Sequence, residues 1–471
     1  MFQKYLGHVS QRWVMAVMGM MGDTMAYVMR ACLGITLTQM SSSGGHPKFN
    51  RSGVVENEVQ NRFGWDEKTQ GEILSAFYYG YILTHLPGGV LSQKFGGKHT
   101  MGLGILSTAI FTLMTPYVAY MGSRPLTILR FIEGLGEGTT FPALYTLLAQ
   151  WAPPEEKGKL STVVFADNII ETYTICAQIG NIFSNFLSGF IIQYIPGSWQ
   201  NVFYFFGITS VVWFVLWSDY LKQSIGSLER KKDFPPTPWK SILTSWLIWA
   251  LIFIEVGHDW GAFTIISDLP KYMSDVLHFS ISENGLLSSF PFVAQWVTSI
   301  LEIMSVTTVR KLFAIIGNFG SGIGVMCASF AGCDKMIATL CFTLGMALMG
   351  FCYPSIRVNS LDLSPNYSST IMALVNDIGC ISGMATPYIV GILTPNKTVL
   401  EWRLVFWIMM IVMTSTSVLF GLFGSGNLQP WDELEQYYLK ENEKLKKGLL
   451  IDERLSIIRL KSIEYGKSSI N

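Results

Sequence analysis

Residues 130–160 read RFIEGLGEGTTFPALYTLLAQWAPPEEKGKL, an apolar run interrupted by Arg130, Glu133 and Glu137. Helical residues three, four and seven apart share a face, so these three charges line one stripe. Gly134, Gly136 and Gly138 lie among them and admit a neighbouring helix at close range. An ionisable group at membrane depth costs about 2.5–3.5 kcal/mol on insertion scales, which confines such groups to wet cavities or to one another. The stripe therefore reads either as transport chemistry or as an Arg–Glu lock between packed helices.

Composition places that stripe in a membrane. The 471 residues are 50% hydrophobic and only 14% charged, where a soluble domain would be about a quarter charged. Apolar runs near a membrane-crossing length recur at 13–40, 71–93, 98–120, 125–150, 160–194, 200–219, 242–266, 283–305, 312–332, 335–357, 367–393 and 402–425. Six spans, a charged connector and six more predict an all-α membrane protein of twelve transmembrane helices in two six-helix bundles. The expected division is an N-terminal bundle at 1–219, a cytoplasmic connector at 220–241, a C-terminal bundle at 242–425 and a charged cytoplasmic tail at 426–471. Basic residues in the even-numbered connections (Lys94, Lys98, Lys157, Lys159, Arg230–Lys232, Arg310, Lys311) put both termini in the cytoplasm.

The same composition excludes other classes. Lys plus Arg and Asp plus Glu each number 33, so no bulk attraction to nucleic acid is implied. The seven cysteines fall mostly in apolar runs without metal-like spacing and read as small core residues. The first apolar run already contains Asp23 and Arg30, unlike a cleavable signal peptide. No nucleophile–base pair, phosphate loop or metal-ligand cluster is evident, so no catalytic or metal site and no enzyme activity is expected.

The motif R-x-x-x-G-x-x-E-G, followed by FPA and W-A-P-P-E, resembles the fourth helix of the anion/cation symporter family of the major facilitator superfamily. That family includes sialin, the vesicular glutamate transporters and the type I sodium–phosphate cotransporters. Further matches, including FxxGYxxTxxPGG in the second span, HDWGAF and DLPKYM in the seventh, VNSLDLSPNY, EWRLVFWI and LQPW, extend the resemblance over most of 12–431. The resemblance implies alternating access of two bundles around a midplane site. It implies a small anionic substrate, such as inorganic phosphate, sialate, urate or an acidic amino acid, with H+ or Na+ as coupling ion and no other cofactor. Arg30, in YVMRACLGITL, matches the family's Y-x-x-R segment, whose arginine is associated with anion binding; Gly34 stands where the family has Ser. A planar guanidinium suits bidentate contact with carboxylate or phosphate; the other reading of Arg30 is a helix-pair contact.

Other residues carry double readings. Tyr78 and Tyr81, one turn apart, form a substrate wall or a packing contact. The position of the functional histidine of vesicular glutamate transporters is Leu74 here, while His85 lies one turn before Gly89. His258 occupies the place of an arginine in those transporters, and either couples a proton or is satisfied inside its bundle. Asn376 and Asp377 read substrate or join helices. Pro87-Gly88-Gly89 should bend the second span. Two lengths depart from the family: residues 167–176, with Asp167 and Glu171, look like about ten extra residues in the fifth span, and roughly ten are missing between the eighth and ninth. Sequons at Asn50 and Asn396 fall on the non-cytoplasmic side as glycosylation candidates, and Asn366 on the other.

Together these residues predict a secondary active transporter in which Arg30, with Tyr78, Tyr81, His258 and Asn376, binds the anion. Glu133 and Glu137 carry the coupling ion, and Arg130 tunes them. The expected setting is a monomer in membrane lipid, in the plasma membrane or a lysosomal or vesicular one. The alternative is a non-transporting scaffold or sensor on the same fold.

Overall fold

The computed structural model describes residues 11–41, 63–151, 164–195, 199–222, 237–299, 307–332, 334–364 and 367–432. Among them all regular structure is helical. The N-terminal half consists of α1 (Gln11–Ser41), α2 (Glu67–Phe95), α3 (Gly97–Tyr120), α4 (Ser123–Glu137), α5 (Thr140–Trp151), α6 (Val164–Tyr194) and α7 (Gln200–Lys222). After the short α8 (Trp239–Thr244) come α9 (Trp246–Asp275), α10 (Ile281–Leu287), α11 (Phe290–Ser299), α12 (Thr307–Phe330), α13 (Lys335–Gly350), α14 (Cys352–Leu363), α15 (Ser368–Gly379), α16 (Ile381–Leu393) and α17 (Val399–Phe423). The pairs α4–α5, α10–α11, α13–α14 and α15–α16 are single spans broken in the middle, so the described residues trace twelve crossings.

Three of the breaks follow from sequence. A proline removes the amide that the carbonyl four residues earlier needs. Pro142, Pro291 and Pro354 stand four residues after Gly138, Leu287 and Gly350, where α4, α10 and α13 end. Proline alone is not enough, since Pro87, Pro116, Pro270 and Pro387 lie inside unbroken helices. The broken sites add Gly138, Ser288–Ser289 or Gly350, which weaken the helix locally. The fourth break falls at Gly379–Cys380 without a proline. α2 runs unbroken through Pro87-Gly88-Gly89 and ends at Gly96, whose φ of 86° favours glycine.

Residues 167–176 lie within the continuous helix α6. α9 continues past the expected end at 266 to Asp275, its polar Asp268 and Lys271 being buried. The shortened connection between the eighth and ninth spans, with Glu302, lies outside the described residues, as does Asn50. Of the cysteines, Cys32, Cys352 and Cys380 are buried, but Cys327 is exposed and so is no core residue; on this transmembrane surface an apolar or weakly polar side chain meets lipid.

One apolar core draws only on residues between Met15 and Trp217, and two more only on residues between Ile242 and Phe420. A small fourth cluster, Phe77, Tyr78, Tyr81, Phe263 and Cys380, joins the halves. α2 packs against α16, and α6 against α10 and α11, across the same divide. The odd-numbered connections collect at one end, where Phe63 packs edge-on against Tyr120 and Trp199, whose rings are tilted on one another. At the other end the Trp217 indole donates to the Lys98 carbonyl (3.1 Å) and Lys311 Nζ to that of Gly421 (3.0 Å). The charge distribution assigns the first end to the non-cytoplasmic side and the second to the cytoplasm.

Candidate functional site: a buried arginine–glutamate cluster

The site depends on how closely α4 approaches its neighbours. A methyl group on Gly134 would overlap the Phe77 carbonyl of α2, and one on Gly138 the Tyr81 carbonyl. Gly80 of α2 is held in the same way against the Phe131 carbonyl, while Gly136 faces Ser107 of α3. Only glycine permits this backbone contact. It presses the charged stripe of α4 against α1, α2 and α3.

Arg130, Glu133 and Glu137 are all buried. Arg130 Nη1 donates to Glu133 Oε2 at 2.6 Å, one turn along the same helix. The Thr112 and Thr115 hydroxyls of α3 donate to Glu133 Oε1 at 3.3 and 3.4 Å. Glu137 belongs instead to Arg30, which donates to its Oε1 from Nε at 2.8 Å and also from Nη2. Arg130 Nη2 reaches the Arg30 carbonyl at 3.4 Å, tying the two arginines together. The guanidinium of Arg30 lies in an aromatic cage, with ring centroids at 4.7 Å (Tyr27), 5.0 Å (Phe77), 4.8 Å (Tyr81) and 5.9 Å (Tyr78); faces of this kind hold a desolvated cation. Glu137 Oε2 accepts no hydrogen bond, and neither does Asp23 Oδ2. Asp23, seven residues before Arg30 on the same face of α1, feels both Arg30 and Glu137.

Arg30, Ala31, Gly34, Leu74, Tyr78, Arg130, Ile266 and Ser267 enclose a cavity of about 10 Å³, room for roughly one water. The site is thus collapsed onto its own carboxylates. Above it the non-cytoplasmic side is shut by ions joining the two bundles. Lys271 of α9 sits 2.5 Å from Glu67 of α2, and Lys397, between α16 and α17, lies 2.9 Å from Glu67 and 3.4 Å from Asp275. Burial opposes the charge on Lys397, but Asp275 and Glu67 outweigh it and raise its pKa above the ordinary lysine value. Glycines close the same side: a Cβ on Gly189 would lie 2.9 Å from Gly285 Cα, and one on Gly71 would meet the Pro387 carbonyl.

The structure brings six of the expected residues together: Arg30, Tyr78, Tyr81, Arg130, Glu133 and Glu137. It sets the other two in the C-terminal bundle. His258 packs edge-on against Tyr353 at 4.7 Å, and Asn376 lies beside His85 and Cys380. Arg130, expected to tune both glutamates, bonds Glu133, while Glu137 is held by Arg30. Sequence reading missed Tyr27, Phe77 and the role of Asp23, although the seven-residue spacing of Asp23 and Arg30 marks a shared face. It also missed Glu67, Lys271 and Lys397, for which no local signal exists.

Two helical bundles closing on a buried charge cluster define a membrane carrier. A family model described as Major Facilitator Superfamily matches residues 13–387 and, in a second match, 253–448. Human sialin is 36% identical over 460 residues, taking in 90% of this chain and 91% of that one. Vesicular glutamate transporter 1 of Bos taurus is 31% identical over 463 residues, covering 90% and 79%. The crystal structure of a D-xylose–proton symporter shares the fold, with a TM-score of 0.67 over 89% of this chain and 100% of that one at 15% identity. The chain belongs to the major facilitator superfamily, in the family of sialin and the vesicular glutamate transporters. It is a multi-pass membrane transporter and not an enzyme.

Proposed function

We propose that the protein is a secondary active transporter of small organic or inorganic anions, coupled to H+ or Na+. The observation that supports this most is the Arg30–Glu137 pair, a buried guanidinium whose fork is occupied by a carboxylate of the protein itself. An entering carboxylate or phosphate competes with Glu137 for the same donors. Once displaced, Glu137 is a buried anion without its cation, an expensive state that binding H+ or Na+ relieves. Anion and cation therefore enter together with little net change of charge. Arg130 and Glu133 keep their own bonds and hold one wall of the site, and the aromatic cage keeps Arg30 aimed.

Sialin, a putative inorganic phosphate cotransporter of Drosophila melanogaster and vesicular glutamate transporters among the relatives make an acidic sugar, inorganic phosphate or an acidic amino acid the candidate substrates. The test is uptake by purified protein in proteoliposomes of labelled sialate, glutamate and phosphate, under an imposed proton or sodium gradient. Wild type is expected to accumulate one of them under one gradient; Arg30→Ala is expected to abolish uptake, and Glu137→Gln to retain exchange while losing gradient-driven accumulation. Uptake by Arg30→Ala at the wild-type level refutes the assignment of Arg30. A folded wild type that carries none of the three refutes these substrates, and a broader anion panel then separates a different substrate from the scaffold reading.

A further inference from the structure

His85 and Asp377 meet across the divide between the bundles, outside the Arg30 cluster. His85 of α2 is fully buried and Asp377 of α15 nearly so. Imidazole Nδ1 lies 2.5 Å from Asp377 Oδ1. Neither atom makes a hydrogen bond of regular geometry there, and because two bare lone pairs repel at that distance, a proton taken up by the ring relieves the contact. The ring is held by Tyr81 and Phe141, stacked with centroids at 5.2 and 5.5 Å. On its far side Asn376 Nδ2 stands 3.5 Å from Nε2. Turning that amide over offers its carbonyl oxygen to an Nε2–H, so the trio accommodates a neutral or a protonated ring. Neither oxygen of Asp377 accepts a hydrogen bond, and the imidazole of His85 is the cationic partner within reach of this carboxylate.

Position gives the contact a task. His85 lies beyond the midpoint of α2 and Asp377 before the midpoint of the α15–α16 pair, so they meet on the cytoplasmic half. Glu67, Lys271, Lys397 and Asp275 bridge the other half. Rocking of the bundles must break one bridge as the other forms. Of the helices packed on α2, α4 brings Arg130, Glu133 and Glu137, which are bonded within the Arg30 cluster, and α1 brings Asp23 and Arg30. α3 brings Lys98 and His99 at its cytoplasmic end, α16 the partly exposed Tyr388, and α5 no charged residue among those described; on the Asp377 side, α9 brings the buried Glu255, His258 and Asp259, and α14 brings Asp362. Tyr81 of α2 lies between His85 and Arg30, touching both.

We propose that His85 and Asp377 are a second proton-binding site of the carrier, filled as the cytoplasmic halves close and emptied as they part. The balance is one proton. A hydrated neutral imidazole and a hydrated carboxylate take up H+ on closing, forming an N–H that points at Asp377, and return it to water on opening. The proposal rests on the transporter reading, but its site can be tested without transport.

The chain has six histidines, so nitrogen-15 histidine NMR of the full protein in nanodiscs, with His85→Gln to identify one signal, follows His85 directly. Its nitrogen-15 signal is expected to change its response to pH in Asp377→Asn. In proteoliposomes carrying glutamate, sialate or phosphate, His85→Gln and Asp377→Asn are expected to lower proton-driven accumulation about tenfold, and exchange at equal pH less than about threefold. A His85 signal indifferent to Asp377→Asn, or accumulation equal to wild type, overturns the proposal. Equal loss of both transport modes in protein with a normal size-exclusion profile does so too, since it marks a packing role. If His85→Gln does not fold, His85→Asn takes its place. If wild type carries none of the probes, the proposed substrates have failed and the NMR titration alone decides the proton site.

Discussion

Arg130→Met offers a direct test of what the buried pairs contribute. The substitution keeps an unbranched apolar stem but removes the donor 2.6 Å from Glu133 Oε2. Glu133 keeps only the Thr112 and Thr115 hydroxyls, both on Oε1, in a site with 1% exposure. Breaking a buried ion pair from one side costs about 3–5 kcal/mol, because a charge stays behind uncompensated. In Arg130→Met/Glu133→Gln no charge remains and the amide oxygen still accepts from both threonines. The remaining cost is an amide NH2 without a partner, about 1–2 kcal/mol. The single variant should therefore be the less stable, by about 2–3 kcal/mol, even though it carries fewer changes. Size-exclusion chromatography after heating in detergent reads this difference: the single variant should lose its folded peak about 2–3 °C below the double variant. If the two decay together, or if Arg130→Met matches wild type, Glu133 is not held as a charge by Arg130 and the account of the site is wrong.

Three further outcomes are expected. Gly134→Ala drives a methyl into the Phe77 carbonyl and should cost about 3 kcal/mol or more of stability, whereas Gly136→Ala meets the Ser107 hydroxyl, which can rotate, and should cost less; the same heating assay ranks them. Lys271→Met removes the cross-bundle bridge to Glu67 and should raise labelling of a cysteine placed at Ser267 by an impermeant thiol reagent applied from the non-cytoplasmic side. For the neighbouring Lys397 bridge, the raised pKa means that the lysine's contribution is fully present below the ordinary value of 10.5 and lost only as pH climbs through the raised one, so that labelling of Ser267→Cys with Lys271 intact should stay flat from neutral pH up to that value. Asn396 is exposed, and Thr398 completes its sequon while also capping α17 through a reciprocal bond with Glu401. Asn396→Gln should remove the expected glycan, seen as a gel shift matching glycosidase treatment, together with the exposed bond from Asn396 Nδ2 to Glu401 (2.8 Å), while Thr398→Ala should remove the glycan and cost about 1 kcal/mol of helix stability through the lost cap.

The fold was legible because membrane burial is written locally. Span length, basic connections and the spacing of Arg130, Glu133 and Glu137 depend only on neighbours in sequence, and so does the effect of Pro142 or Pro291 on the helix before it. Contacts between helices are not written that way. Arg30 and Glu137 are 107 residues apart, and which glutamate it takes depends on the depth at which α1 and α4 settle. Arg130 goes to Glu133 for a local reason, one turn of helix, and so leaves Glu137 to Arg30. His85 and Asp377, 2.5 Å apart across the bundles, were visible only as separate polar residues, since no pattern in α2 points to α15.

The break after Glu137 bears on how the chain is made. α4 and α5, with 15 and 12 residues, rise about 22 and 18 Å, and neither crosses a hydrocarbon layer of roughly 30 Å alone. The first of them also carries Arg130, Glu133 and Glu137, a poor candidate for partition into lipid on its own. What receives it, the backbone of α2 at Phe77 and Tyr81 and the threonines of α3, is encoded upstream and leaves the ribosome first. Biosynthetic order thus supplies the fourth span with its docking surface before it needs one, and a chain rearranged to synthesise that span ahead of α2 should be retained and degraded rather than inserted.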